Sequence, residues 1–345
     1  MNVFQKCHGW RLLLLFPLAN LLAQPLPRPP IDWTTYDYMP GHQVLFFDDF
    51  SGDRPGEPPG AWSVFPQNAK VRVLEVNKQS WLHAQEQATL APLELKLPPQ
   101  FTVEMDFNVT LQGYSGRYRL DFIGAAEEDW LSLTLEPPSF FFSMSSGLTS
   151  EKNIDLTNGP HHLAVQVDGS SLKCYVDDER VINIPKSSDF KAGRLELFLA
   201  GADEEDASDD KCWFTNFTVA AGPAPLSNQL SSSGKIVAYG ISFEPGRATI
   251  LPRSTPTLKQ VADLLRADAT LNFSVECHDN ELPSESDNVK LSQARAEALK
   301  DHLIAQYKIA EQQLTTKGWG ETRPLSDANT VEGKKVNQRV EFIRK

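Results

Sequence analysis

Asn288-Val289-Lys290-Leu291-Ser292-Gln293-Ala294-Arg295-Ala296 is the stretch that decides the fold of the C-terminal third. It opens a helix predicted over Leu291 to Tyr307, buried through Leu291, Ala294, Ala298 and neighbouring Leu299 and Leu303. Upstream, Leu271-Asn272-Phe273-Ser274-Val275 alternates as a strand does. Before it, Ala248-Thr249-Ile250-Leu251-Pro252 leads into a helix starting near Ser254. Thr255 suits its cap, Pro256 its first turn, and Leu258, Val261, Leu264 and Leu265 its apolar stripe. Downstream, strands are expected from Leu314 and over Arg339-Val340-Glu341-Phe342-Ile343. This order predicts an α+β domain with helices on one face of a small mixed sheet.

Several separated motifs in this stretch fall in one register. Asn288-x-x-Leu291-Ser292-x-x-Arg295-Ala296 starts the helix. Gly318-Trp319-Gly320-Glu321-Thr322-Arg323-Pro324 makes a turn, and Asn329, Gly333 and Asn337-Gln338-Arg339-Val340 close the set. Residues 235–345 thereby resemble the OmpA-like, peptidoglycan-associating domain. The resemblance implies a non-covalent grip on the diaminopimelate of the peptidoglycan stem peptide. That group carries an ammonium and a carboxylate on one carbon, so an acid and an arginine must face each other across a cleft. Arginine suits the carboxylate because its planar fork gives two parallel hydrogen bonds. Arg295 stands at the family's arginine position, and Asn288 begins its motif. Without gaps, Asn280 lies where the family places its acid, and Asp279 is adjacent. The expected binding residues are therefore Asn280, Asp279, Asn288 and Arg295. An asparagine in the acid's place loses a charge-assisted bond worth about 1.5–3 kcal/mol.

Residues 41–220 read as a different kind of domain. Val71–Val76, Phe101–Phe107, Leu131–Leu135, Leu163–Val167 and Val181–Ile184 alternate with period two. Many short antiparallel strands predict an all-β jelly-roll-type sandwich, which buries one face of each strand. Phe47-Asp48-Asp49-Phe50-Ser51-Gly52, Ala61-Trp62, the His161–Asp177 hairpin with its Asp168-Gly169-Ser170-Ser171 turn, and Trp213–Val219 resemble a concanavalin/laminin-G-like sandwich. Joined to an OmpA-like tail, the arrangement resembles exported proteins of Bacteroidetes-type bacteria. Residues 221–234, rich in Ala, Pro and Ser, read as a linker.

The N-terminus reads as an export signal over residues 1–23, with Lys6 and Arg11 near Leu12-Leu13-Leu14-Leu15-Phe16. A proline-rich lead over 24–40 follows, with Gln24 to Pro30 expected to be extended and mobile. From Gln24 to Gly234 the chain carries 15 Lys and Arg against 30 Asp and Glu, a net of −15; from Lys235 the numbers are 16 and 15. This balance disfavours nucleic acid. In an exported chain Cys174 and Cys212 are the preferred disulfide pair, against two separate buried thiols. No Cys/His spacing suggests a metal, and no cofactor or catalytic residue is expected. Glu104 and Asp106 fall on one strand face, as glycosidase acids do, but read better as solvated acids. The run Asp203–Asp206 with Asp209 and Asp210 reads as a solvated loop, and His161 and His162 as residues of a strand edge.

The expected protein is a non-enzymatic component of the outer membrane or periplasm. It associates with peptidoglycan and presents a sandwich with a glycan or protein ligand. Two rivals stand beside this reading. The sandwich binds or hydrolyses an envelope polysaccharide, with Trp62, Trp81 or Trp130 stacking on sugars, or the β region is an outer-membrane barrel.

Overall fold

In the computed structural model, residues 36–109, 116–169, 171–185, 190–200, 212–222 and 225–345 are described. The proposed signal peptide, most of the proline-rich lead, the acidic run at 203–210 and Ser170 of the hairpin turn lie outside them. Two antiparallel sheets face each other across the N-terminal region. One runs in the order Glu179–Ile184, Ser171–Val176, Gly159–Asp168, Gln100–Val109, Cys212–Ala221, Gln79–Ala84, Val71–Val76, and Gln43–Asp48 also pairs with Cys212–Ala221. The other runs Thr149–Asn153, Ser139–Met144, Trp130–Glu136, Arg117–Gly124, Ala192–Ala200, Ala88–Pro92, Trp62–Phe65. These are two open sheets and not one closed barrel, so the β-barrel alternative does not hold.

Alternation explains the layering. In Gln100–Val109, Phe101, Val103, Met105, Phe107 and Val109 are buried, while Glu104, Asp106 and Asn108 turn to the outer face. Phe47, Asp48 and Phe50 of the Phe47–Phe50 motif are buried. Asp48 accepts hydrogen bonds from Phe50 N (2.7 Å) and from Trp62 Nε1 (2.8 Å), and burial lifts its carboxyl to about 6.

Four expectations change here. Cys174 and Cys212 are free, buried thiols. Their strands are separated by Gly159–Asp168 and Gln100–Val109 in the same sheet, and three strand spacings of about 4.8 Å exceed any disulfide reach. His161 and His162 lie on an interior strand, not an edge. His161 Nδ1 meets Asp177 at 2.6 Å and Nε2 meets Thr157 O at 2.7 Å. The linker stretch contains a helix, α1 (Leu226–Ser233), whose Leu226 and Leu230 enter the core of the C-terminal domain. Residues 36–40 of the lead are packed: Tyr36, Tyr38 and Tyr175 cluster edge to face, and Met39 is buried in that same C-terminal core.

The C-terminal domain is a four-stranded sheet ordered Lys235–Ala238, Arg339–Arg344, Phe273–His278, Leu314–Gly318, with one parallel pair. Helices α2 (Thr255–Ala267) and α3 (Glu285–Tyr307) bury their apolar sides on it, and α4 (Val331–Asn337) precedes the strand Arg339–Arg344. Thr255 does not cap α2: a short 3₁₀ turn, Pro252–Ser254, leads into it, and the Thr255 hydroxyl donates to Pro252 O. The buried side of α3 is Asn288, Leu291, Ser292, Arg295, Ala296, Leu299 and Leu303, while Ala294 is exposed. The buried side departs from the expected stripe because three of its members, Asn288, Ser292 and Arg295, are polar. The described residues of both domains fall in one compact unit. Arg253 Nη2 reaches Asp178 Oδ2 at 3.4 Å between the domains, and Lys335 Nζ lies 5.4 Å from the Phe47 ring.

Candidate binding cleft

The motifs of the C-terminal domain build one site by packing against each other. A Cβ on Gly318 would lie 2.2 Å from Gln293 N, and one on Gly320 2.8 Å from Val289 N, so the turn touches the backbone of α3 at both glycines. The amides exposed there are taken by α3 side chains: Gly318 N donates to Gln293 Oε1 (2.8 Å) and Gly320 N to Ser292 Oγ (2.8 Å). Asn288 is fully buried and brackets the loop ahead of the helix. Its Oδ1 accepts from Leu282 N (2.8 Å) and its Nδ2 donates to Leu282 O (2.9 Å). Asn337 clamps the following turn through Leu325 N (2.7 Å) and Ser326 N (3.0 Å), and Arg339 pairs with Glu341 at 2.8 Å.

This frame sets Arg295 at the floor of the cleft, 2% exposed, with its guanidinium 4.7 Å from the Phe243 ring. Nε donates to Arg247 O (2.9 Å). Nη1 donates to Asp279 and to Glu281 Oε1 (2.8 Å), and Nη2 to Glu281 Oε2 (3.1 Å) and Glu244 O (3.3 Å). Asp279 is 3% exposed; its second oxygen, Oδ2, has no hydrogen-bond partner among the described residues. Burial raises the Asp279 carboxyl to about 6, with Arg295 opposing. Burial acts on Glu281 in the same sense, but hydrogen bonds from Arg295 and from Gly246 N (2.8 Å) outweigh it and hold its carboxyl below the usual value.

Of the four residues expected at the site, Asp279 and Arg295 come together. Asn288 supports the loop from beneath, where it is closed to any ligand. Asn280 turns away: its Nδ2 donates to Lys334 O at 3.1 Å, outside the Arg295 cavity. Alternation explains the difference. Phe273, Val275 and Cys277 face the helices, so Asp279 continues that side and Asn280 does not. Glu281 continues it too, and the sequence reading missed it.

The cleft is an interdomain cavity of about 240 Å³. Asp279, Glu281, Arg295 and Gln338 line it from one side; Glu104 and Thr218 line it from the sandwich. Glu104 and Asp106 are not solvated acids. His162 lies between them, with Nδ1 2.7 Å from Asp106 Oδ1 and Nε2 3.4 Å from Glu104 Oε2. Tyr38 Oη donates to Glu104 (2.9 Å) and Asn216 Nδ2 to Asp106 (2.6 Å). Burial disfavours charge on all three, but the mutual hydrogen bonds win. His162 is raised to about 9, and both carboxyls are held below their usual values. No group of three or more His, Cys, Asp and Glu among the described residues is placed to hold a metal, and no helix among them is long and apolar enough to cross a membrane.

Farther along the same sheet face, Trp81 and Trp213 line a groove of about 350 Å³ with Asn77, Gln79 and Asn108. Trp213 stacks on His83 with ring centroids 4.0 Å apart. Trp62 is core, and Trp130 is exposed outside this groove.

The chain is similar to outer membrane porin F of Pseudomonas aeruginosa, 31% identical over 38% of this chain and 37% of that protein. It is similar to the peptidoglycan-binding protein ArfA of Mycobacterium bovis, 29% identical over 34% of this chain and 36% of the relative. The chain therefore spans little more than a third of these relatives' length. Among solved structures, the carbohydrate binding module CBM66 from Bacillus subtilis is similar over 47% of this chain and 96% of its own, at 17% identity and a TM-score of 0.35. The OmpA family model matches residues 242–338. With the sheet, the glycine contacts and the Asn288–Arg295 frame described above, those residues form an OmpA family domain.

Proposed function

We propose that this protein is a non-enzymatic component of the bacterial envelope that holds peptidoglycan non-covalently in the Asp279–Arg295 cleft. The observation that carries the reading is the buried Asp279–Arg295 pair lining an open cavity at the helix motif of an OmpA family domain. The ligand group is the diaminopimelate of the stem peptide, whose ammonium suits Asp279. The names of the relatives, an outer membrane porin and a peptidoglycan-binding protein, support an envelope location, and the chain's export signal and association with the outer membrane belong to this reading. The test is co-sedimentation of the full chain with purified sacculi. Wild type is expected in the pellet and Arg295→Ala in the supernatant; a wild type that pellets no better than a control protein sinks the proposal.

The sandwich is a second binding module. Its Trp81–Trp213 groove favours a glycan, because indole faces and side-chain amides suit sugar rings. Hydrolysis is disfavoured. A glycosidase needs one carboxyl protonated near neutral pH, and Glu104 and Asp106 are both held ionised by His162. A glycan array with a parallel reducing-sugar assay separates binding from cleavage.

A further inference from the structure

A guanidinium has five N–H donors, and on Arg295 all five are engaged within the chain. Glu281 takes two of them, side by side, in the arrangement a ligand carboxylate would adopt. It is fixed there by two further donors, Gly246 N at 2.8 Å and Gln338 Nε2 at 2.5 Å. A ligand carboxylate entering the cavity therefore meets a filled seat and a second negative charge. The opposite holds at Asp279. Asp279 lines the same cavity, and its buried Oδ2 makes no hydrogen bond among the described residues. A buried acceptor without a donor is costly, and a ligand N–H removes that cost. Asp279, Glu281 and Arg295 together carry a formal charge of −1; elsewhere in the cavity wall Glu104 is offset by Lys335, and Arg339 is paired with Glu341. Beside Arg295 the cleft thus has a seat for an ammonium and none for a neighbouring carboxylate.

We propose that Glu281 sets the specificity of this cleft, so that it takes a primary ammonium whose neighbouring carboxyl is masked as a carboxamide. Within the peptidoglycan reading, on which this rests, the preferred ligand is a stem peptide with amidated diaminopimelate. The amide carries no charge against Glu281, and its N–H₂ can donate to the carboxylates that repel the free acid.

The test is isothermal titration of the full chain with two synthetic tripeptides ending in diaminopimelate. One carries a free carboxyl and the other a carboxamide on the carbon bearing the free amine. Wild type is expected to bind the amide at least tenfold tighter. Glu281→Gln, checked for folding by its melting curve, is expected to narrow that preference to threefold or less, or to reverse it. Equal or tighter binding of the free acid by wild type overturns the inference, independently of how the variant folds. An unchanged preference in folded Glu281→Gln overturns the role of Glu281. Failure to bind either peptide also overturns the inference. If sacculi then still carry the protein down, the peptidoglycan reading stands; if they do not, it falls too.

Discussion

Replacing His162 by glutamine tests the electrostatics of the sandwich face that borders the C-terminal domain. His162 titrates at about 9 instead of 6.5 because Glu104 and Asp106 flank it, and its side chain is 20% exposed. A raised folded pKa contributes stability that is fully present below 6.5 and is lost as pH rises through 9. The upward shift corresponds to about 3 kcal/mol at most. The same attraction, seen from Glu104 and Asp106, fails at the acid end, when those carboxyls protonate. Glutamine keeps some hydrogen bonding but carries no charge. The cost of His162→Gln should thus be about 3 kcal/mol at pH 6 and fall by most of that amount by pH 9.5. Urea unfolding of both proteins at each pH gives the difference directly. Tyr38 and the other titrating groups nearby are common to both proteins. A cost independent of pH between 6 and 9.5 would refute the assignment of a charged His162.

Three other outcomes follow from the cleft. Gly318→Ala should cost about 3 kcal/mol in urea unfolding, because the new Cβ meets Gln293 N at 2.2 Å, whereas Ala294→Ser on the exposed side of α3 should stay within about 0.5 kcal/mol. Asn288→Ala should cost about 2–3 kcal/mol, since both Leu282 backbone groups lose their partner, and should also reduce pelleting with sacculi, because the loop it holds carries Asp279 and Glu281. Ligand binding should weaken as pH falls through about 6, where Asp279 gains a proton and loses the charge that attracts an ammonium. Titration calorimetry at pH 7.5, 6 and 5 checks this, and an affinity that does not change excludes Asp279 as the ammonium's partner.

Much of the fold was legible because its pattern is local. The alternation of Phe101–Phe107 and Leu131–Leu135 needs no knowledge of neighbours, and both segments are strands. The motif glycines were legible for a related reason: Gly318 and Gly320 touch helix backbone, where no side chain fits. What escaped depends on distant partners. His162 reads as a residue of a strand edge until Glu104 and Asp106 arrive from a neighbouring strand. Asn288, Ser292 and Arg295 stand outside the expected apolar stripe, yet they form the buried side of α3 because loop and turn backbone supply their partners. Asn280 stands at the family's acid position with Asp279 beside it, and the Phe273–Val275–Cys277 alternation decides between them once it is extended beyond the strand. Continued, it points to Asp279 and then to Glu281. The α1 segment carried a usable signal as well, since Leu226 and Leu230 are four residues apart.

Met39, which precedes the sandwich strands but is buried in the core of the C-terminal domain, bears on how the protein presents two ligands at once. A module on a loose tether sweeps a volume, and its effective concentration at a second site falls off with tether length. Here Met39, the Arg253–Asp178 pair and the cavity shared with Glu104 hold the sandwich against the domain that would grip the wall. Simultaneous engagement of the Trp81–Trp213 groove and the Asp279 cleft is then governed by fixed spacing rather than by search. Glycan segments matched to that spacing would gain avidity, and others would gain none.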